Sequence, residues 1–163
     1  MPIRCARESD LHRVLEVERL SFPVPKQWDF IDFREGLKDL FLVFEEGQVS
    51  GFLVACIREP VRRAVILRIA VHPACRNRGI ATELIEAAIE TFREREIREV
   101  EIDVEIVGRT AVGLYERLGF HAVREMPMKE DDDMGEENGS YYMMKLTLRN
   151  DGNPARPNRE GFP

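Results

Sequence analysis

Between Gly79 and Arg93 the apolar residues Ile80, Ala81, Leu84, Ile85, Ala88, Ile89 and Phe92 recur with a helical period, with Glu83, Glu86 and Glu90 opposite. A few residues later the period drops to two. Val100, Ile102, Val104 and Ile106 alternate with Glu101, Asp103 and Glu105, the pattern of a half-buried strand. Upstream, Ile3 to Ala6 reads as a short strand, and Ser9 offers an N-cap to a stripe of Leu11, Val14, Leu15 and Val17 that ends near Leu20. Ser21 to Pro25 breaks the helix, because each proline removes a donor and restricts its neighbour. Trp28, Phe30, Ile31, Phe33 and Leu37 then suggest an irregular second helix. Phe41 to Phe44 and Val49 to Ile57 form a predicted hairpin around Glu45–Gln48, and Val65 to Val71 is a strand that is apolar except for Arg68. Arg109 to Leu118 predicts a short helix closed by Gly119, followed by strands at Phe120–Arg124 and Tyr141–Leu148. No repeat is present, and the order predicts an α/β or α+β fold with a mixed sheet.

Composition narrows this further. The chain has 163 residues, 44% hydrophobic and 33% charged, which suits a single globular domain over residues 1–148. From residue 149 to 163 almost nothing is apolar, so a disordered tail is expected there. The net charge of -6 argues against nucleic acid or a membrane surface as partner, and most of it sits in the acidic run Lys129–Glu137. Cys5, Cys56 and Cys75 are odd in number and far apart, which predicts free thiols in a reducing compartment. His12, His72 and His121 have no metal-binding spacing, so no metal is expected. No apolar run is long enough for a membrane span and MPIRCARESD lacks a signal-peptide core, so the expectation is a soluble cytoplasmic domain.

The chemistry concentrates in Arg68–Leu84, where a strand passes through His72-Pro73 into a basic turn and directly into the amphipathic helix. The first turn of a helix carries unpaired N–H groups and the positive end of the dipole, so an anion is favoured there. Gly79 and Ala81 allow close approach, and Arg76 and Arg78 add charge. The turn is neither a Walker A loop nor GxGxxG. On these residues alone, an anion site and a basic loop that merely precedes a helix both stand.

Arg76, Gly79 and Ala81 form an R-x-x-G-x-A pattern, and Ala111 to Phe120 reads A-x-x-L-Y-x-x-x-G-F. Together, in this order, they resemble the GNAT N-acetyltransferase superfamily, and most of all its N-terminal protein acetyltransferases, including those that modify ribosomal proteins. The resemblance is sharp over Leu67 to Phe120. It implies a mixed, mostly antiparallel sheet of about seven strands flanked by about four helices. It implies acetyl-CoA as co-substrate, with Ile69, Ala70 and Val71 along its pantetheine arm. The amides of Arg76, Asn77, Arg78, Gly79, Ile80, Ala81 and Thr82 would hold the pyrophosphate. Tyr115 stands at the position whose phenol protonates the departing thiolate and also touches the cofactor; simple core packing is the alternative.

Two departures from the family matter. Asp103 stands where a glutamate base is common, and Gly108 replaces an asparagine, which removes an amide contact to CoA. Glu105, on the same strand face as Asp103, takes the place of an arginine. Both carboxylates are candidates for relaying the acceptor's proton; alternatively, with Glu101, they form a wet strand face paired with Arg68. The acceptor groove would lie between the Phe22–Phe33 segment, with Phe22 and Trp28, and the Met126–Tyr142 segment. There Tyr141 and Tyr142 would stand in for a tyrosine pair of the relatives, because Met126-Pro127-Met128 occupies its place.

The expected acceptor is an amine, foremost a protein N-terminus. An α-amine has pKa ≈ 7.7–8.0, so roughly a tenth is neutral at pH 7 and little help is needed. A small-amine acetyltransferase acting on a polyamine or aminoglycoside, and a CoA-binding module without turnover, are the other readings. The expected state is a monomer or homodimer.

Overall fold

The computed structural model describes residues 2–105, 109–127 and 140–149. Ile106–Gly108, the acidic run Lys129–Glu137 and the expected tail beyond Arg149 lie outside them. Among the described residues there are seven strands: β1 (Ile3–Cys5), β2 (Leu40–Glu46), β3 (Gln48–Arg58), β4 (Arg63–Val71), β5 (Glu99–Glu105), β6 (His121–Pro127) and β7 (Ser140–Thr147). The helices are α1 (Leu11–Ser21), α2 (Phe30–Gly36), α3 (Ile80–Glu94) and α4 (Arg109–Arg117). The sheet order is β1-β2-β3-β4-β5-β7-β6, antiparallel throughout except for the parallel pair β4 and β5.

Each face of this sheet is covered by helices, which produces two cores. Leu11, Val14 and Val17 of α1 and Phe33 of α2 pack on Phe41, Val43, Phe52 and Val54. On the other face, Leu84, Ile85 and Phe92 of α3 and Tyr115 of α4 pack on Leu53, Ile66, Val100, Ile102 and Met144. The alternation along β5 follows directly: Val100 and Ile102 enter the second core and Glu101 lies on the reverse face.

The start of α1 differs from the expectation. Glu8–Asp10 forms a 3₁₀ turn and Asp10, not Ser9, stands at the helix entrance, its Oδ2 accepting from Arg7 N at 2.7 Å. Asp10 is favoured over serine because Arg4 of β1 reaches it with a two-pronged pair at 2.8 and 2.9 Å. That guanidinium holds the Asp10 carboxyl below the usual carboxylate range. Arg4 Nε also donates to Glu45 at 3.0 Å, tying β1, β2 and α1 together.

Candidate functional site

The site begins with a fault in the sheet. β3 pairs Val54 with Arg68 but Ala55 with Ile66, so Leu67 is an extra residue, a bulge that bends β4. The parallel ladder to β5 ends at Ile66–Ile102, although β4 continues to Val71 and β5 to Glu105. Beyond that point the two strands part. On its other side β4 stays joined to β3 through Leu53–Ile69, Phe52–Ala70 and Gly51–Val71. His72 N donates to Ser50 O at 2.7 Å, so by antiparallel alternation Ala70 also turns its amide and carbonyl toward β3. Ile69 and Val71 turn theirs into the opening.

The opening leads into the turn before α3. His72 Nδ1 accepts from Ala74 N at 3.0 Å and closes a 3₁₀ turn over Pro73–Cys75. Asn77 and Gly79 then adopt positive φ, 65° and 79°. Gly79 is the N-cap of α3, and no side chain caps the helix. Glu83 N bonds back to Gly79 O at 3.0 Å, so the amides of Ile80, Ala81 and Thr82 are the unpaired ones of the first turn. Arg78 is exposed. The Arg76 guanidinium is folded back, with Nε donating to Val71 O at 3.1 Å and Nη2 to Ser21 Oγ at 3.3 Å. It is thus occupied within the protein.

Tyr115 lies buried in the α3/α4-side core, which also contains Ile66 and Ile102, the last rung of the parallel ladder. Its ring stands edge-on to Phe120 at 5.7 Å, and burial pushes its phenol pKa upward. Phe22 and Trp28 are half-buried on the opposite, α1/α2 side of the sheet. Asp103 is exposed on β5 opposite Met143; the side chains of Glu105 and Tyr141 and the whole of Gly108 lie outside the described residues. Tyr142 packs against the α3/α4-side core and so does not stand with Phe22 and Trp28. Arg68 binds Glu18 of α1, and Glu101 faces Lys145 at 3.8 Å rather than Arg68. Arg68 sits on the α1 side, where the fully buried Glu18 carboxylate meets it.

Two residues were missed in the sequence. Glu18 occupies an inward position of α1, in register with Leu11 and Val14, and a carboxylate on an apolar stripe was the available signal. Gly51 has no local signal. A Cβ there would stand 3.0 Å from Ile80 Cγ2 and 3.3 Å from Ala70 O, so its absence lets the first turn of α3 sit close on β3. Among the described residues no cluster of His, Cys, Asp or Glu could hold a metal ion, and no helix is long and apolar enough to cross a membrane.

A mixed sheet whose central parallel strands part beside an uncapped helix start is a frame for holding an extended, anion-bearing ligand. Residues 8–120 match the Acetyltransferase (GNAT) family. The chain belongs to that family and is an N-acetyltransferase. An N-alpha-acetyltransferase of Saccharolobus solfataricus is 27% identical over 137 residues, 75% of this chain and 81% of the relative. The ribosomal-protein-S18-alanine N-acetyltransferase of Escherichia coli superposes with a TM-score of 0.79 at 19% identity, covering 90% of this chain and 92% of the other. Arabidopsis thaliana NAA60, solved in complex with a bisubstrate analogue, gives 0.76 at 20% identity, with 91% and 98% covered.

Proposed function

We propose that the protein transfers an acetyl group from acetyl-CoA to the α-amine of a protein N-terminus. The observation that carries the donor side is the parting of β4 and β5, which turns the Ile69 backbone and the Val71 amide into the opening beside the uncapped start of α3, the Val71 carbonyl being held by Arg76. The residues present fit the donor. A Cβ at Gly79 would meet nothing within 4 Å, so the space over the helix start is open to an anion. Acetyl-CoA supplies the activated thioester. Ile69 and Val71 hold its amide-bearing arm as an added strand. Ile80, Ala81 and Thr82 offer amides to a pyrophosphate oxygen, with the helix dipole behind them. Tyr115, kept protonated by burial, carries a proton for the departing sulfur.

On the acceptor side, Asp103 or Glu105 takes the proton of the arriving ammonium, directly or through water. The relatives named N-alpha-acetyltransferase support the α-amine over other acceptors. So does the chemistry: a lysine amine, with pKa ≈ 10.4, is under roughly a thousandth neutral at pH 7 and needs a stronger base than one exposed aspartate.

The deciding experiment measures acetyl-CoA consumption with peptides bearing a free N-terminus, N-blocked lysine peptides and polyamines. Free N-termini are expected to be used best, by about tenfold or more given the difference in neutral amine. A preference for lysine or polyamine overturns the acceptor assignment. In the same assay kcat/KM rises with pH, and Asp103→Asn with Glu105→Gln shifts or removes that rise. A double variant with the wild-type profile excludes a carboxylate relay.

Gly79→Val tests the donor side. A β-branched residue at φ 79° is strained by about 1–2 kcal/mol, and its side chain would occupy the space over the helix start. Acetyl-CoA affinity measured by calorimetry is expected to fall about tenfold or more; an unchanged affinity moves the anion elsewhere.

A further inference from the structure

Glu18 is fully buried, with 0% of its side chain exposed, and its carboxylate gathers several donors. Arg68 Nε lies 3.2 and 3.1 Å from its two oxygens, Arg68 Nη2 bonds Oε2, and the backbone N of Trp28 donates to Oε2 at 2.9 Å. The same Nη2 donates to Lys26 O at 2.7 Å. The guanidinium carbon lies 3.7 Å from the centre of the Phe22 ring and 5.6 Å from that of Trp28. One arginine of β4 therefore grips α1 and the following segment at Glu18, Phe22, Lys26 and Trp28.

That segment needs such a grip. Pro23 and Pro25 have no N–H, and its own backbone bonds are those of one 3₁₀ turn, Lys26 N to Pro23 O (2.9 Å) and Gln27 N to Val24 O (3.3 Å). Gln27 Nε2 closes it on itself by donating to Phe22 O at 2.8 Å. Phe22 and Trp28 pack on the α1-side core, and Arg68 adds directed bonds that fix the segment against β4, with Arg76 adding one to Ser21. Arg68 lies just past the bulge, beyond the last parallel pair Ile66–Ile102 and thus at the mouth of the opening. A buried ion pair is weak evidence for stability, because a well-packed apolar pair of similar volume does as well or better. A forked, hydrogen-bonded pair fixes orientation, which an apolar pair does not.

We infer that Arg68 is a positioning residue for the acceptor. Through Glu18 it holds the Phe22–Trp28 segment in one place relative to the donor strand, and so sets acceptor use without setting donor affinity. The inference rests on the acetyl-transfer reading above, and its test separates the two.

The test variant is Glu18→Leu/Arg68→Met, which replaces the ion pair by apolar side chains. It is expected to fold, to bind acetyl-CoA as the wild type does, and to lose about ten- to a hundredfold in kcat/KM for the acceptor, chiefly through KM. Arg68→Lys, which keeps the charge and loses the fork, should fall between the two. Trp28 is the single tryptophan of the chain, so its emission reports the segment without turnover. Acrylamide quenching is expected to rise in the double variant.

A folded double variant with wild-type acceptor KM overturns the inference, and so does one whose loss falls equally on acetyl-CoA affinity. Should the double variant not fold, Arg68→Lys carries the test, and an unchanged acceptor KM there overturns it. If the wild type acetylates no N-terminal peptide, the functional reading fails by itself. Trp28 quenching still decides the clamp in that case, and equal quenching in variant and wild type overturns it.

Discussion

Replacing Tyr115 with phenylalanine is expected to lower kcat by about 10²–10⁴-fold, the usual worth of a general acid, with the fold intact. The ring is what packs: it is buried among the α3/α4-side core and meets Phe120 edge-on at 5.7 Å. Phenylalanine keeps that contact and removes one oxygen, so stability should change by no more than about 1 kcal/mol. Burial disfavours the phenolate and raises the pKa, so the hydroxyl stays protonated throughout the neutral and mildly alkaline range. It is therefore a donor and not a base there, and the rate should not decline with rising pH through its ionisation. Single-turnover rates with a good acceptor, beside a denaturant titration, check this. A Phe variant that turns over normally leaves Tyr115 a packing residue.

The largest stability effect is expected at Phe33. It is the one buried residue of the seven-residue helix α2. Around it stand Trp28 at 5.2 Å, Phe41 at 6.0 Å and, edge-on, Phe52 at 5.2 Å. A helix this short does not hold itself in water, and depends on tertiary packing. Phe33→Ala should cost about 3–5 kcal/mol, a melting shift on the order of 10 °C. Phe30→Ala, at the first position of α2 and 42% exposed, should cost no more than about 1 kcal/mol. Equal effects at the two positions would mean that α2 is not anchored through Phe33.

Elements that bury one regular face were legible in the sequence. The stripe of α3, the alternation of β5 and the hairpin at Glu45–Gln48 each carry their own period, which the sheet then exploits. The turn into α3 was legible for a different reason: Arg76, Gly79 and Ala81 stand in the fixed R-x-x-G-x-A spacing. What stayed hidden depends on partners distant in sequence. Arg68 and Glu18 are 50 residues apart, and nothing local says that the arginine would choose a carboxylate on α1 over those on β5. Arg76 looked like a ligand for an anion, yet its guanidinium finds Val71 O and Ser21 first. The bulge at Leu67 is equally silent, since an extra residue in an apolar run leaves the run apolar. Asp10 outcompeted Ser9 through Arg4, again a contact with another element.

The bulge at Leu67 also shapes how the chain is assembled. On one side of the seam, β2, β3 and β4 follow each other by short turns; on the other, β5, β6 and β7 pair among themselves. The two groups meet through four parallel pairs, from Arg63–Glu99 to Ile66–Ile102, whose members are separated by all of α3. Contacts of long sequence separation are costly in chain entropy, and here few of them share that cost. Few backbone pairs thus join the two halves of the sheet, and the core under α3 and α4, with Leu53 and Ile66 from one half and Val100, Ile102 and Met144 from the other, holds the seam together.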